Sequence, residues 1–255
     1  MIQHSFLLAA IFYLLSFCGA IAGKKHISGI LLITGLLANG YSIAIRYWLT
    51  FPMLPLYQGP FFLPFFMGLF SLKALGNAHH SESNILLLIS LMAWAALFFP
   101  NDHYLPFIQF RTIFSHLFFL FGVIARAFFI LSGLQAYQCI RKKEMNETAL
   151  QQLREVRQSV IWGYLFWTIS VFCGAIWSYL GWGSPVVWED PAITTAMATW
   201  LYYSLYLHLH LISFVNAKNR PFFAVIGACW VIAFNCLPDM GKFMLPNIFM
   251  VKNYI

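Results

Sequence analysis

The chain has 255 residues, 61% of them hydrophobic and 9% charged. A soluble domain carries about a quarter charged residues, so a water-facing enzyme or nucleic-acid binder is excluded and lipid is the solvent for most of the surface. The net charge of +7 sits in short clusters such as Lys24-Lys25 and Arg141-Lys142-Lys143, the signature of cytoplasmic loops rather than of a nucleic-acid surface.

About 20 apolar residues cross a hydrocarbon core. On that ruler the chain contains spans at 4–22, 27–45, 60–76, 85–100, 114–136, 160–180, 192–215 and 221–238. Continuous apolar runs in place of alternation exclude a closed β-barrel. The expected fold is all-α, a single bundle of about eight transmembrane helices forming one domain over 1–255. The first run has no basic stretch before it and Lys24-Lys25 after it, the reverse of a cleaved signal peptide, and is expected to remain as a span. The third run is interrupted by Pro64 and the fourth is short. Between spans five and six, 137–159 contains E-M-N-E-T-A-L-Q-Q-L-R-E-V-R and reads as an amphipathic cytoplasmic helix leading into span six.

Eight spans place both termini on one side. With the termini outside, the inner loops hold ten basic residues (Lys24, Lys25, Lys73, Arg141, Lys142, Lys143, Arg154, Arg157, Lys218 and Arg220), and the outer side holds four: Arg46, Arg111, Lys242 and Lys252. The positive-inside rule therefore gives an N-out, C-out orientation. The outer face then carries 46–59, 101–113, 181–191 and 239–255.

The five cysteines contain no C-x-x-C pair, which argues against a thiol-disulfide reductase and for inert thiols buried in the apolar runs. P-loop, nucleophile-elbow and zinc-protease motifs are absent, so there is no stand-alone catalytic motif. The distinctive residues are histidine, tryptophan and one arginine. His116 stands at the outer end of span five. His208 is about 24 Å below residue 192 at 1.5 Å per residue, and His210, two positions on, would point about 200° away on a regular helix. An intramembrane histidine serves either as an interhelical hydrogen-bonding group or as a ligand. Arg126 lies about 20 Å in from residue 113, with no acid in any span to neutralise it. It requires either an anionic ligand or backbone carbonyls and snorkelling.

Aromatic belts at the membrane surface account for Trp48, Trp162, Trp167 and Trp177. They do not account for G-W-G-S-P-V-V-W-E-D-P at 181–191. Its indoles offer a stacking wall, and glycine lets backbone approach a flat ligand. With imidazole at the edge of such a wall, porphyrin iron is a fitting ligand, and Arg126 would suit its propionates.

These segments resemble the CcsA/ResC-type cytochrome c assembly proteins, haem-handling membrane proteins with an external loop of the pattern W-G-x-x-W-x-W-D-P and a following span with T-W…Y-L-H. Here the loop reads W-G-S-P-V-V-W-E-D-P, and Thr199-Trp200 and Tyr206-Leu207-His208 follow it. Arg46 with P-M-L-P-L-Y-Q-G at 52–59 is similar to the family's second outer loop, and His116 to its external histidine. The likeness runs from about 46 to 215. It departs at Val186-Val187 in place of the middle tryptophan, at the inserted Glu189, at Gln58 in place of an acid, and in 239–255, which lacks the family's second external histidine.

The resemblance implies that haem is bound at the outer face and presented to the cysteines of apocytochrome c, usually with a ResB/CcsB-type membrane partner. It implies His116 as an external axial ligand, His208 as an intramembrane ligand, and Trp182, Gly183, Trp188 and Asp190 as the loop platform. At most the chain would be the haem-binding half of a cytochrome c synthase, in the cytoplasmic (inner) membrane of a bacterium. Two alternatives are a HemX-like membrane regulator of glutamyl-tRNA reductase, favoured by the altered motif, and a small transporter using Arg126 and His208.

Overall fold

A computed structural model describes residues 2–50, 59–72, 82–98, 112–141, 147–186, 191–211 and 219–236. Eight α-helices follow one another: α1 (Ile2–Ile21), α2 (Lys25–Thr50), α3 (Gly59–Ser71), α4 (Glu82–Phe98), α5 (Ile113–Arg141), α6 (Glu147–Trp182), α7 (Pro191–His208) and α8 (Arg220–Cys236). No strand occurs among the described residues. The helical outcome follows from the solvent: in hydrocarbon each backbone polar group must be satisfied within its own segment.

Among the described residues α1, α2, α5 and α6 are long and apolar enough to cross a membrane by themselves. The apolar parts of α3, α4 and α8 are shorter. The expected interruption at Pro64 does not occur, and α3 runs through it. Pro64 stands in the second turn, where only the bond to the Pro60 carbonyl is forfeited. The amphipathic segment and span six are one 36-residue helix. At 1.5 Å per residue α6 is about 54 Å long, well beyond a hydrocarbon core of about 30 Å, so its Arg154 end projects.

Lipid gives apolar helices little reason to associate, and small and polar residues supply the contacts. Between α1 and α2 the buried Ser16 and Ser28 exchange hydrogen bonds, each Oγ donating to the other's carbonyl at 2.8 Å. Further along, the Asn39 amide donates to the Tyr13 hydroxyl at 3.1 Å. The central helix is α5, which packs on α3, α4, α6 and α8. At Gly133 it meets α8 so closely that a Cβ would overlap the Cβ of Ala228 and lie 3.1 Å from the Ala224 carbonyl.

Neighbouring contacts fix the helix directions. Along α5, Phe118, Phe128 and Gln135 meet Trp177, Phe166 and Ser159 of α6, an antiparallel pair. Along α7, Ala196 meets Trp167, and Trp200 meets Tyr164, so α7 is antiparallel to α6 and parallel to α5. The start of α5, the end of α6 and the start of α7 therefore share one end of the bundle.

The thiols depart from the expectation. Cys173 is buried and Cys139 half-buried, but Cys18 and Cys229 are exposed on the outside of the bundle. An apolar run surrounds its residues with lipid as readily as with protein, and sequence does not tell the two apart.

Candidate functional site

His116 occupies the first turn of α5, where Ser115 closes the helix start by donating to the Thr112 carbonyl at 2.8 Å. Its half-buried ring is 6.2 Å from that of Tyr47, near the end of α2. Tyr47 is edge-on to Phe62 of α3 at 5.7 Å, and Phe62 is edge-on to Phe119 of α5 at 5.2 Å. Three helices thus hold the imidazole beside an aromatic wall. Tyr47 was not singled out in the sequence, where Arg46 drew attention instead. A pairing between positions so far apart in the chain has no local signal.

Trp182 closes α6 at the same end, 53% exposed. Its indole is edge-on to Trp177 at 5.3 Å, and Trp177 stacks on Phe118 of α5 at 6.3 Å. Ser170 donates to the Phe118 carbonyl at 2.6 Å and locks α6 to α5 there. Gly183 has φ of +73°, a left-handed conformation that side chains resist, and its N–H caps the helix on the Tyr179 carbonyl at 2.9 Å. Among the described residues nothing lies within 4 Å of where a Gly183 Cβ would be. Ser178 donates to the Ser184 carbonyl at 2.8 Å and ties the loop back onto α6. Trp188 and Asp190 lie outside the described residues.

Arg126 faces α6. Its guanidinium carbon is 5.3 Å from the centroid of the Trp167 ring, a cation–π contact that replaces part of the lost hydration. The Trp167 indole N–H donates to the Ala196 carbonyl of α7 at 3.1 Å. Beside it Trp200 donates to Thr168 at 3.1 Å. Trp167 and Trp177 are therefore more than belt residues. One braces the intramembrane cation and the other backs Trp182. Trp48, 86% exposed, and Trp162, 45% exposed, fit the belt.

His208 ends α7 at the opposite end of the bundle. Tyr203 lies face to face on Phe129 of α5 at 3.5 Å, and counting from that level puts His208 about 27 Å from His116 along the axis. The two histidines cannot ligate one iron; they mark two places. The same count puts Arg126 about 12 Å from His208 towards the His116 end, so the similar depths expected from sequence do not hold. After His208 the α-helix tightens into a 3-10 turn, Leu209–Leu211. That rewinding brings the His208 and His210 rings to 6.4 Å, nearly parallel at 23°, in place of the opposed directions a regular helix dictates. His208 Nδ1–H donates to the Ser204 carbonyl at 2.7 Å, and His210 Nδ1–H to Leu207 at 3.0 Å. In the neutral rings Nε2 then carries the lone pair, the nitrogen an axial ligand offers. No group of three or more metal-ligating side chains occurs among the described residues.

The family model for "Cytochrome C assembly protein" matches residues 1–235. The chain belongs to the cytochrome c assembly protein family. It is similar to the cytochrome c biogenesis protein CcsA of Lactuca sativa, at 34% identity over 93 residues, 33% of this chain and 29% of that protein. The CcsA of Ranunculus macranthus is 36% identical over 74 residues, 28% of this chain and 23% of its own. Among solved structures, cytochrome c haem lyase CcmF superposes with a TM-score of 0.57 at 16% identity, over 92% of this chain and 46% of that one. This family member thus spans less than half of CcmF, and the matched stretch is under a third of the CcsA proteins. The likeness to CcmF establishes a shared multi-pass membrane fold.

Proposed function

We propose that this cytochrome c assembly protein binds haem at the end of the bundle where α5 starts and α6 stops, for delivery to apocytochrome c. The family match over 1–235 carries the reading. The geometry agrees with it. His116 and the Trp177–Trp182 pair stand at that end on adjoining helices, with Trp182 exposed. There His116 would offer imidazole to haem iron and Trp182 and Gly183 would form the platform, to which the sequence motif adds Trp188 and Asp190. At the far end His208 offers Nε2 for a second, separate haem position. Arg126, lying between the two ends, would face the propionates of haem in passage.

Haem supplies an electrophilic vinyl edge when bound; the chain's own residues do the positioning. The Tyr47–Phe62–Phe119 wall flanks the His116 imidazole. The Ser178–Ser184 hydrogen bond and the Gly183 cap set the angle at which Trp182 leaves α6.

We place this end on the outer face of a bacterial cytoplasmic membrane, with both termini outside, on the ten-to-four division of basic residues. We assign the chain a ResB/CcsB-type membrane partner, as its resemblance to the CcsA/ResC-type proteins implies. The comparisons lend the HemX-like alternative no support. Deleting the gene and staining membranes for covalent haem tests the role. Loss of c-type cytochromes with b-type haems and apocytochrome retained is expected. Unchanged c-type haem would refute it.

A further inference from the structure

Two positions apart on a regular helix, His208 and His210 would turn their side chains away from each other. The fold overrides that geometry. Leu209 between them is buried, 2% exposed, and the chain tightens there into the 3-10 turn Leu209–Leu211. Both imidazoles are left exposed, with ring centres 6.4 Å apart and planes 23° from parallel. Each ring is anchored through the same nitrogen. His208 Nδ1–H donates to the Ser204 carbonyl at 2.7 Å, and His210 Nδ1–H to the Leu207 carbonyl at 3.0 Å. A carbonyl only accepts, so the tautomer of both neutral rings is set and each Nε2 keeps its lone pair.

A ring fixed by one N–H on a backbone carbonyl, with the other nitrogen unprotonated, is how histidine ligands are oriented in metal sites. One such histidine is an ordinary surface residue. Two on consecutive turns of chain, this close together, form a chelating pair. With each Nε2 about 2.0–2.1 Å from a shared ion, ring centres fall about 5–6.5 Å apart, from tetrahedral to linear ligation. The observed separation lies at the wide end, so a tetrahedral ion draws the rings together by about 1 Å. We propose that His208 and His210 chelate a divalent ion of the Ni²⁺, Cu²⁺ and Zn²⁺ group, which imidazole suits, with water in the remaining positions. The site does not rest on the haem-handling reading, which gives His210 no role. The two meet at one atom: an ion held by both rings takes the Nε2 lone pair that His208 would otherwise offer to haem.

The test uses the full-length protein in detergent, without a histidine tag, freed of haem and stripped with a chelator. Zn²⁺ is titrated into it by calorimetry. His210→Ala and His208→Ala should each weaken zinc binding by about tenfold or more, because each leaves a single imidazole. His26→Ala, which removes another exposed histidine, should leave the affinity as it is. Cu²⁺ gives a second reading by electron paramagnetic resonance. Nitrogen couplings from two imidazoles are expected in the wild type and from one in His210→Ala. Absence of zinc binding by the wild type overturns the site, as does wild-type affinity in His210→Ala. So does a loss in His26→Ala as large as that in His210→Ala, or a single imidazole on Cu²⁺ in the wild type.

Discussion

The Arg126–Trp167 contact can be weighed by a double-mutant cycle, because it is the point where α5, α6 and α7 are tied through one side chain. Trp167→Leu removes three things. One is the hydrogen bond to the Ala196 carbonyl at 3.1 Å, worth about 1 kcal/mol and less if that carbonyl keeps its helical partner. Another is a nearly buried indole, 4% exposed, whose truncation leaves a cavity and costs about 2 kcal/mol. The last is the ring 5.3 Å from the Arg126 guanidinium, worth about 1 kcal/mol in a setting with little water. The single change should destabilise the bundle by about 3–4 kcal/mol. Arg126→Gln removes the ring contact and any other bond of the guanidinium, together with a desolvation penalty of opposite sign, so the single change does not isolate the ring. The informative quantity is the coupling, expected at about 1 kcal/mol. Unfolding of the four proteins in mixed micelles, followed by far-UV circular dichroism, reads it. Coupling within error of zero would show that the cation is held by something other than this ring, and the link from α5 through Trp167 to α7 would fall.

Other consequences follow from the same contacts. Gly133→Ala drives a methyl group into Ala228 and should cost about 1–3 kcal/mol by overpacking, seen as a lower unfolding midpoint. Gly181→Ala, with nothing among the described residues within 4 Å of the new carbon, should be neutral or gain up to about 1 kcal/mol in the same assay. At Gly183, φ of +73° makes alanine cost about 1–2 kcal/mol. The helix end should fray and Trp182 fluorescence shift to the red, and an unshifted spectrum would contradict the cap. Ser178→Ala removes the bond to the Ser184 carbonyl and should raise amide exchange at 183–186 several-fold with global stability within about 1 kcal/mol of wild type.

Much of the fold was legible because lipid enforces a simple code. Runs of apolar residues at a length set by bilayer thickness gave eight helices close to their observed positions. The misreadings have local physical causes. Pro64 looked like a break, but a proline in the second turn forfeits one bond only. The amphipathic stretch within 137–159, read as a helix leading into span six, does so: Glu147–Trp182 is one helix. His208 and His210 were assigned opposite directions on the assumption of α-helical winding that fails at Leu209. In the candidate site, motif residues announced Trp182, Gly183 and His116 through spacing along the chain. Tyr47, Trp177 and Trp167 carry their roles through contacts across helices. Such contacts leave no trace in a sequence where nearly every interface position is apolar or aromatic.

On the function proposed above, this chain holds haem through His116 at the Trp182 end of the bundle. Purification of the full-length protein from haem-sufficient cells, followed by its absorption spectrum, tests this most directly. A Soret band in the wild type that is lost or displaced in His116→Ala, with the His208→Ala protein keeping the His116-dependent component, is the predicted result. Absence of the band in the wild type, or a band indifferent to His116→Ala, would contradict it.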